Sequence, residues 1–275
     1  MTALSYHDLP LLKSPVWTWE VPAYFFVGGA AGAAAVIGAT AQLTGAGKDL
    51  VRDARWIAAA GAGLSAPLLI SDLGRPERFL HMLRVFKPQS PMSVGAWTLA
   101  AFSSFAAAAA FADLVRRKTD WPVKLAGDAS AMLSAATGLV MATYSGVLIG
   151  ATAIPVWNRH ASILPVHFGA SALGSAVSLL ELRDHRHSAL NALGLGAALF
   201  ETIADVALEG SLAVRIAGAF SGPIPLALRL LGARKGAAVS TLIGSLLTRF
   251  AWIEEGKTSH ALRLREPVGE GSPRR

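Results

Sequence analysis

Between residues 22 and 253 the chain is a succession of runs of about twenty apolar and small residues, separated by short polar connections. No other feature constrains the fold as strongly. The hydrocarbon core of a bilayer is about 30 Å thick and a helix rises about 1.5 Å per residue, so each run has the length of one membrane crossing. Lipid offers no hydrogen bonds to the backbone, and helices satisfy their own. Only 16% of the residues are charged, against about 25% in soluble domains, while 53% are hydrophobic and the mean hydropathy is +0.46. The expectation is an all-α polytopic membrane protein of about eight transmembrane helices, arranged as two four-helix bundles.

The spans are read at about 22–44, 54–72, 93–115, 128–154, 162–182, 188–208, 210–232 and 236–253. Residues 210–232 contain Gly222-Pro223 and Pro225, which kink or break a helix. They form either a bent span or a re-entrant segment beside seven spans. Residues 1–21 read as an external N-terminal segment without the pattern of a cleavable signal peptide, and 254–275 as a polar tail. Runs such as GGAAGAAA, GAGLSA and GASALGSA are packing signals, because small residues let helix backbones approach in lipid.

Connections one, three, five and seven carry Lys48, Arg52 and Arg55; Arg116, Arg117, Lys118 and Lys124; Arg183 and Arg186; and Arg229, Arg234 and Lys235. The positive-inside rule puts these connections in the cytoplasm and both termini outside. The stretch DLGRPERFLHMLRVFKPQSP, residues 72–91, is then an exception: a basic segment on the outer face. Phe79, Leu80, Leu83 and Phe86 recur there at roughly helical spacing, among Arg75, Arg78 and Lys87. It reads as a short amphipathic helix over 73–91 lying along the membrane surface.

Cysteine is absent, so the chain offers no thiolates to an iron–sulfur cluster and no covalent haem attachment. Of seven histidines only His167 lies clearly within a span, which leaves a transmembrane haem without a second histidine ligand; no haem is expected. The net charge of +7 belongs to loops flanking spans, not to a nucleic-acid-binding face. The seven tryptophans fall mostly near span ends and read as an interfacial belt. Ionisable groups within or at the ends of spans are the functional candidates, because such groups are costly in lipid. They are Glu20, Tyr24, Asp72, Tyr144, His167, Glu201, Asp205 and Arg215. Glu201 and Asp205 are spaced i,i+4 and share a helix face.

The segment DLGRPERFLHMLRVFKPQSPMSVGAW, with PVWTWEVPAYFFVGGAAGA, HFGASALGSA and TRFAWIEEGKTS, resembles the NrfD/polysulfide reductase membrane-subunit family. The resemblance implies a haem-free anchor in a bacterial inner membrane that exchanges electrons with menaquinone or ubiquinone. It also implies a four-cluster ferredoxin-like iron–sulfur partner, usually accompanied by a molybdopterin catalytic subunit. By the same resemblance, Glu20, Val21 and Tyr24 fall where the first helix lines the quinone pocket, and the TYSG segment places Tyr144 at a quinone-contacting tyrosine. Val21 and Tyr24 stand where the polysulfide reductase relative has Asn and His. Quinone-site candidates are thus Glu20, Tyr24, Asp72, Arg75, His81 and Tyr144, with Asp72 and Arg75 pairing to shape the loop. His167, Glu201 and Asp205 are candidates for a proton path from the opposite side, and Arg78, Arg84 and Lys87 for docking the partner. The alternative class is a transporter or proton-conducting protein using the broken segment and the Glu201/Asp205 pair.

Overall fold

The computed structural model describes residues 17–75, 77–115, 121–152, 154–208 and 210–263. Lys13, Arg116, Arg117, Lys118, Arg265, Arg274 and Arg275, part of the loop and tail charge, lie outside them. Eleven helices and no strands are found among the described residues: α1 (Glu20–Thr44), α2 (Lys48–Asp72), α3 (Glu77–Met82), α4 (Pro91–Val115), α5 (Trp121–Gly150), α6 (Pro155–Arg159), α7 (Leu164–Leu182), α8 (Ser188–Ala207), α9 (Leu212–Ser221), α10 (Pro223–Leu230) and α11 (Arg234–Arg263). The chain is all-helical. α1, α2, α4 and α5 pack together as one four-helix bundle, and α7, α8, the α9–α10 pair and α11 as a second, joined where α1 and α5 meet α7.

Among the described residues six helices, α1, α2, α4, α5, α8 and α11, are long and apolar enough to cross a membrane. α7 has 19 residues and a polar interior face, with His167, Ser171, Ser175, Ser178 and Glu181 all buried. Its hydroxyls are absorbed locally: Ser175 and Ser178 donate to the carbonyls of Ser171 and Gly174 at 2.9 and 2.7 Å. α9 and α10 are the two halves of the Pro-containing segment, broken at Gly222. A helix start buried among other helices leaves orphan N–H groups. Pro223 and Pro225 have no N–H, and Gly222 N–H is taken by the Gly218 carbonyl at 2.8 Å. The break therefore leaves little unsatisfied.

Helix contact depends on absent side chains. A Cβ on Gly32 of α1 would strike the carbonyl of Gly138 on α5, and a Cβ on Gly138 would meet the Gly32 carbonyl at 2.7 Å. On α11, Gly244 leaves room for the backbone of Phe220 and Ser221 at the end of α9. Such contacts replace the hydrophobic effect, which does not drive helix association in lipid.

Ion pairs define one end of the molecule, here the basic end. Arg55 of α2 is buried and donates to Asp113 of α4 and Asp128 of α5, both at 2.7 Å, and to Gln42 of α1 at 2.8 Å. One guanidinium thus gathers all four helices of the first bundle. Arg229 of α10 forks onto Glu181 of α7 at 2.9 and 2.8 Å and reaches Asn191 of α8 at 3.3 Å. Asp53 accepts from Arg183 Nε at 2.8 Å and lies 3.0 Å from His185 Nε2, tying the two bundles together. Lys235 pairs with Asp184 at 2.8 Å, and this hydrogen bond holds the Asp184 carboxyl below the ordinary carboxylate range.

The opposite end, the loop end, is held by aromatic packing. Trp157 of α6 is fully buried, stacks on Trp17 at 5.3 Å and donates its Nε1–H to the Trp252 carbonyl at 2.7 Å. Gly256 clears the space its ring occupies. The expected interfacial belt is corrected here: Trp157 and Trp252 are fully buried, whereas Trp19, Trp56, Trp97 and Trp121 are exposed. The first part of the expected polar tail continues α11 to Arg263.

Candidate functional site

At the loop end of the first bundle, Glu20 opens α1 and Tyr24 follows one turn later on the same face. Glu20 Oε2 is buried without a hydrogen-bond partner. Tyr24 is buried and packs beside Phe25, the ring centroids 5.5 Å apart. A Cβ on Gly28 would meet both the Tyr24 ring, at 3.5 Å, and Met141 of α5, at 3.1 Å. Tyr24 therefore leans on the stretch of α5 that carries Tyr144, close enough for the two phenols to interact electrostatically. Tyr144 is buried, and its hydroxyl donates to the Pro91 carbonyl, the first of α4, at 2.8 Å. Its ring lies where a side chain on Gly95 would be.

Asp72 ends α2 and accepts from the N–H and the hydroxyl of Thr18 at 3.3 and 2.8 Å. It fixes the chain just before Glu20 and does not pair with Arg75 as the sequence suggested. Arg75 and His81 are exposed on the α2–α4 connection, so neither is gathered into the buried tyrosine cluster. Arg78, Arg84 and Lys87 are exposed too, and none of these cations has an ion-pair partner among the described residues. The 73–91 segment holds a shorter helix than its apolar spacing suggested, only α3. Phe79 packs against the core, while Leu80, Val85 and Phe86 stay exposed.

The second cluster lies in the second bundle. His167 Nδ1 stands 3.4 Å from Glu201 Oε1, and both atoms are buried without a hydrogen-bond partner. The other oxygen, Glu201 Oε2, accepts from the Ser221 hydroxyl at 2.8 Å, at the α9–α10 break. Asp205 is partly exposed, and its carboxyl fills the space over Gly218. His167 sits in the first turn of α7, so this cluster lies nearer the loop end than the basic end.

Arg249 escaped the sequence reading. It is fully buried, donates to the Ser171 hydroxyl at 2.6 Å and the Phe168 carbonyl at 3.0 Å, and lies over the Phe168 ring at 4.6 Å. Its charge is close enough to act on Glu201. The signal was available: Arg249 falls inside the 236–253 run, where an ionisable residue is a candidate by default. Ser221, Gly95 and Pro91 gave no comparable signal, because hydroxyls, glycines and prolines in such runs are common.

Fold and site together define an all-helical, two-bundle membrane protein with a buried pair of tyrosines at one end and a buried histidine–carboxylate cluster beside it. The family model described as Polysulphide reductase, NrfD matches residues 10–188 of the 275, and the chain belongs to that family. The match covers the first bundle, α6 and α7, and stops at the first residue of α8. Membership makes the chain a membrane anchor subunit of the polysulphide-reductase-like type. No curated protein matches it.

Proposed function

We propose that this chain is the quinone-reactive membrane anchor of a respiratory oxidoreductase complex. It exchanges electrons and protons between membrane quinone, menaquinone or ubiquinone, and a partner iron–sulfur subunit of the four-cluster ferredoxin type. A molybdopterin subunit completes the catalysis, which this chain does not perform alone. Beyond family membership, the observation that carries the reading is the buried, unpartnered Glu20 Oε2, one turn from the buried Tyr24 on α1 and at the same end as Tyr144. A quinone headgroup needs a donor to its carbonyl oxygen, an acceptor for the proton of its reduced form, and apolar walls. Tyr24 supplies the donor, Glu20 the acceptor, and Val21, Phe25 and Met141 the walls.

Bound quinone supplies the two-electron chemistry; the residues supply position and protons. Tyr24 and Tyr144 orient the headgroup by hydrogen bonds, and Glu20 holds or releases a proton at Oε2, as a placed base does. Asp72 acts on the site by fixing Thr18 and so the entrance to α1. Arg75 and His81 belong to its exposed rim. In the second bundle Asp205, Glu201 and His167, with Arg249 compensating the buried charge, form a proton path reaching inward from the loop end. Arg78, Arg84 and Lys87 present unpaired cations on that face to an acidic partner surface. On the positive-inside rule, this face and both termini lie outside a bacterial inner membrane in this reading.

A transporter reading draws on one observation, the helix break at Gly222 beside Glu201. Co-purification of an iron–sulfur subunit and bound quinone decides between the two. The direct test is Tyr144→Phe in the purified complex. Loss of the hydroxyl is expected to lower quinone-dependent turnover about 10-fold, the worth of one hydrogen bond, while the partner's activity with an artificial electron carrier stays intact. Unchanged quinone turnover removes Tyr144 from the site.

A further inference from the structure

Two residues of α4 seat Tyr144. Gly95 leaves room for the ring, and Pro91, at the first position of α4, supplies the carbonyl that takes the hydroxyl at 2.8 Å. The turn carrying Pro91 is tied back to the connection. Ser90 caps it, accepting the Ser93 N–H at 3.4 Å. The Ser93 hydroxyl accepts Lys87 N–H at 3.0 Å and reaches the Val85 carbonyl at 3.4 Å. Phe86 sets its ring edge-on to Trp97 at 6.2 Å. The KPQSPMSVGAW stretch thus reads as one device: a folded connection, a capped helix start, an acceptor for one tyrosine and the gap that tyrosine fills.

A phenol has a single O–H to give. While the Pro91 carbonyl holds it, the Tyr144 oxygen is fixed in place with lone pairs to accept from a ligand's O–H; once that hold loosens, the placed acceptor is lost. We propose that Gly95, Pro91 and Ser93 are positioning residues for Tyr144, and that through Ser93 the connection at residues 85–90 sets how firmly the tyrosine oxygen is held in place. The inference rests on the reading of Tyr144 as a quinone contact. It also gives the connection a role besides docking: Arg84 and Lys87, exposed and unpaired, adjoin the residues Ser93 holds, so a partner seated on them acts on the turn carrying Pro91.

The test is a set of single variants in the intact complex, with KM and kcat measured against quinone. Ser93→Ala cuts the tie without touching the site. It is expected to raise KM about fivefold, the equivalent of one lost net hydrogen bond, with kcat and subunit stoichiometry unchanged. Ser93→Thr keeps the hydroxyl and restores KM. Gly95→Ala drives a methyl into the ring and lowers kcat/KM to the level of Tyr144→Phe. A wild-type KM in Ser93→Ala overturns the inference, as does a KM rise that Ser93→Thr fails to rescue. So does a parallel loss of kcat and assembly, which would mark Ser93 as a packing residue only. If Tyr144→Phe is itself inert, the site reading fails; if Tyr144→Phe is impaired and Ser93→Ala is not, only the coupling fails.

Discussion

Replacing Arg55 by methionine is expected to destabilise the folded chain by about 3–5 kcal/mol, the usual cost of removing one partner from a buried ion pair. Methionine keeps most of the apolar stem, so the loss is electrostatic. Arg55 bonds Asp113 and Asp128 at 2.7 Å, and those carboxylates are only 12% and 28% exposed. Without the guanidinium they face each other where α4 and α5 meet. Asp128, the more exposed, recovers some hydration, which places the effect toward the lower end. Thermal unfolding in detergent should show a lowered midpoint for Arg55→Met and a substantial recovery when Asp113→Asn and Asp128→Asn are added. If Arg55→Met unfolds like the wild type, the network does not hold the basic end of the first bundle.

The second large effect is at the crossing of α1 and α5. Gly32→Val would place a branched side chain against the Gly138 carbonyl, and the obstructing atom is backbone, which cannot change rotamer. Overpacking among side chains costs about 1–3 kcal/mol; here the helices must separate, so a larger loss is expected. Separation also parts Tyr24 from the stretch of α5 carrying Tyr144, so quinone turnover should fall further than protein yield. Gly32→Ala, with one methyl, should be intermediate. A Gly32→Val protein with a wild-type unfolding midpoint would show that the two backbones are not in contact.

Those two positions show which parts of the molecule were legible in the sequence. Run length and apolar content announce membrane helices because the bilayer imposes one length on all of them. The small residues in GGAAGAAA announced close packing, but not that Gly32 meets Gly138, since alanine and glycine runs look alike at every register. The i,i+4 spacing of Glu201 and Asp205 was legible, and the two divide their partners: Glu201 turns to Ser221 and His167, Asp205 to the space over Gly218. Arg55 and Arg229 read as loop charge, because sequence position cannot tell a cation in water from one wrapped by carboxylates of other helices. The aromatic belt failed at Trp157 and Trp252 for a related reason, as a tryptophan near a helix end can face lipid or the core.

The DLGRPERFLHMLRVFKPQSP segment differs most from its sequence pattern. Its apolar spacing suggested a surface helix over 73–91. Among its described residues helix forms at Glu77–Met82, and residues 85–87 fold back on the start of α4 through Ser93 and Trp97. Asp72, at its start, fixes the entry to α1, and Pro91, after its end, holds Tyr144. The family-like stretch therefore touches both sides of the proposed quinone site, which its charge and hydropathy alone did not reveal.

Photolabelling the purified complex with an azido-quinone, followed by peptide mapping, tests the central claim most directly. Label is expected on the start of α1, between Glu20 and Gly28, and on α5 around Met141 to Ser145, competed away by unlabelled quinone and lost in Tyr144→Phe. Label confined to the second bundle, or no competable label in a complex that still turns over quinone, would contradict it.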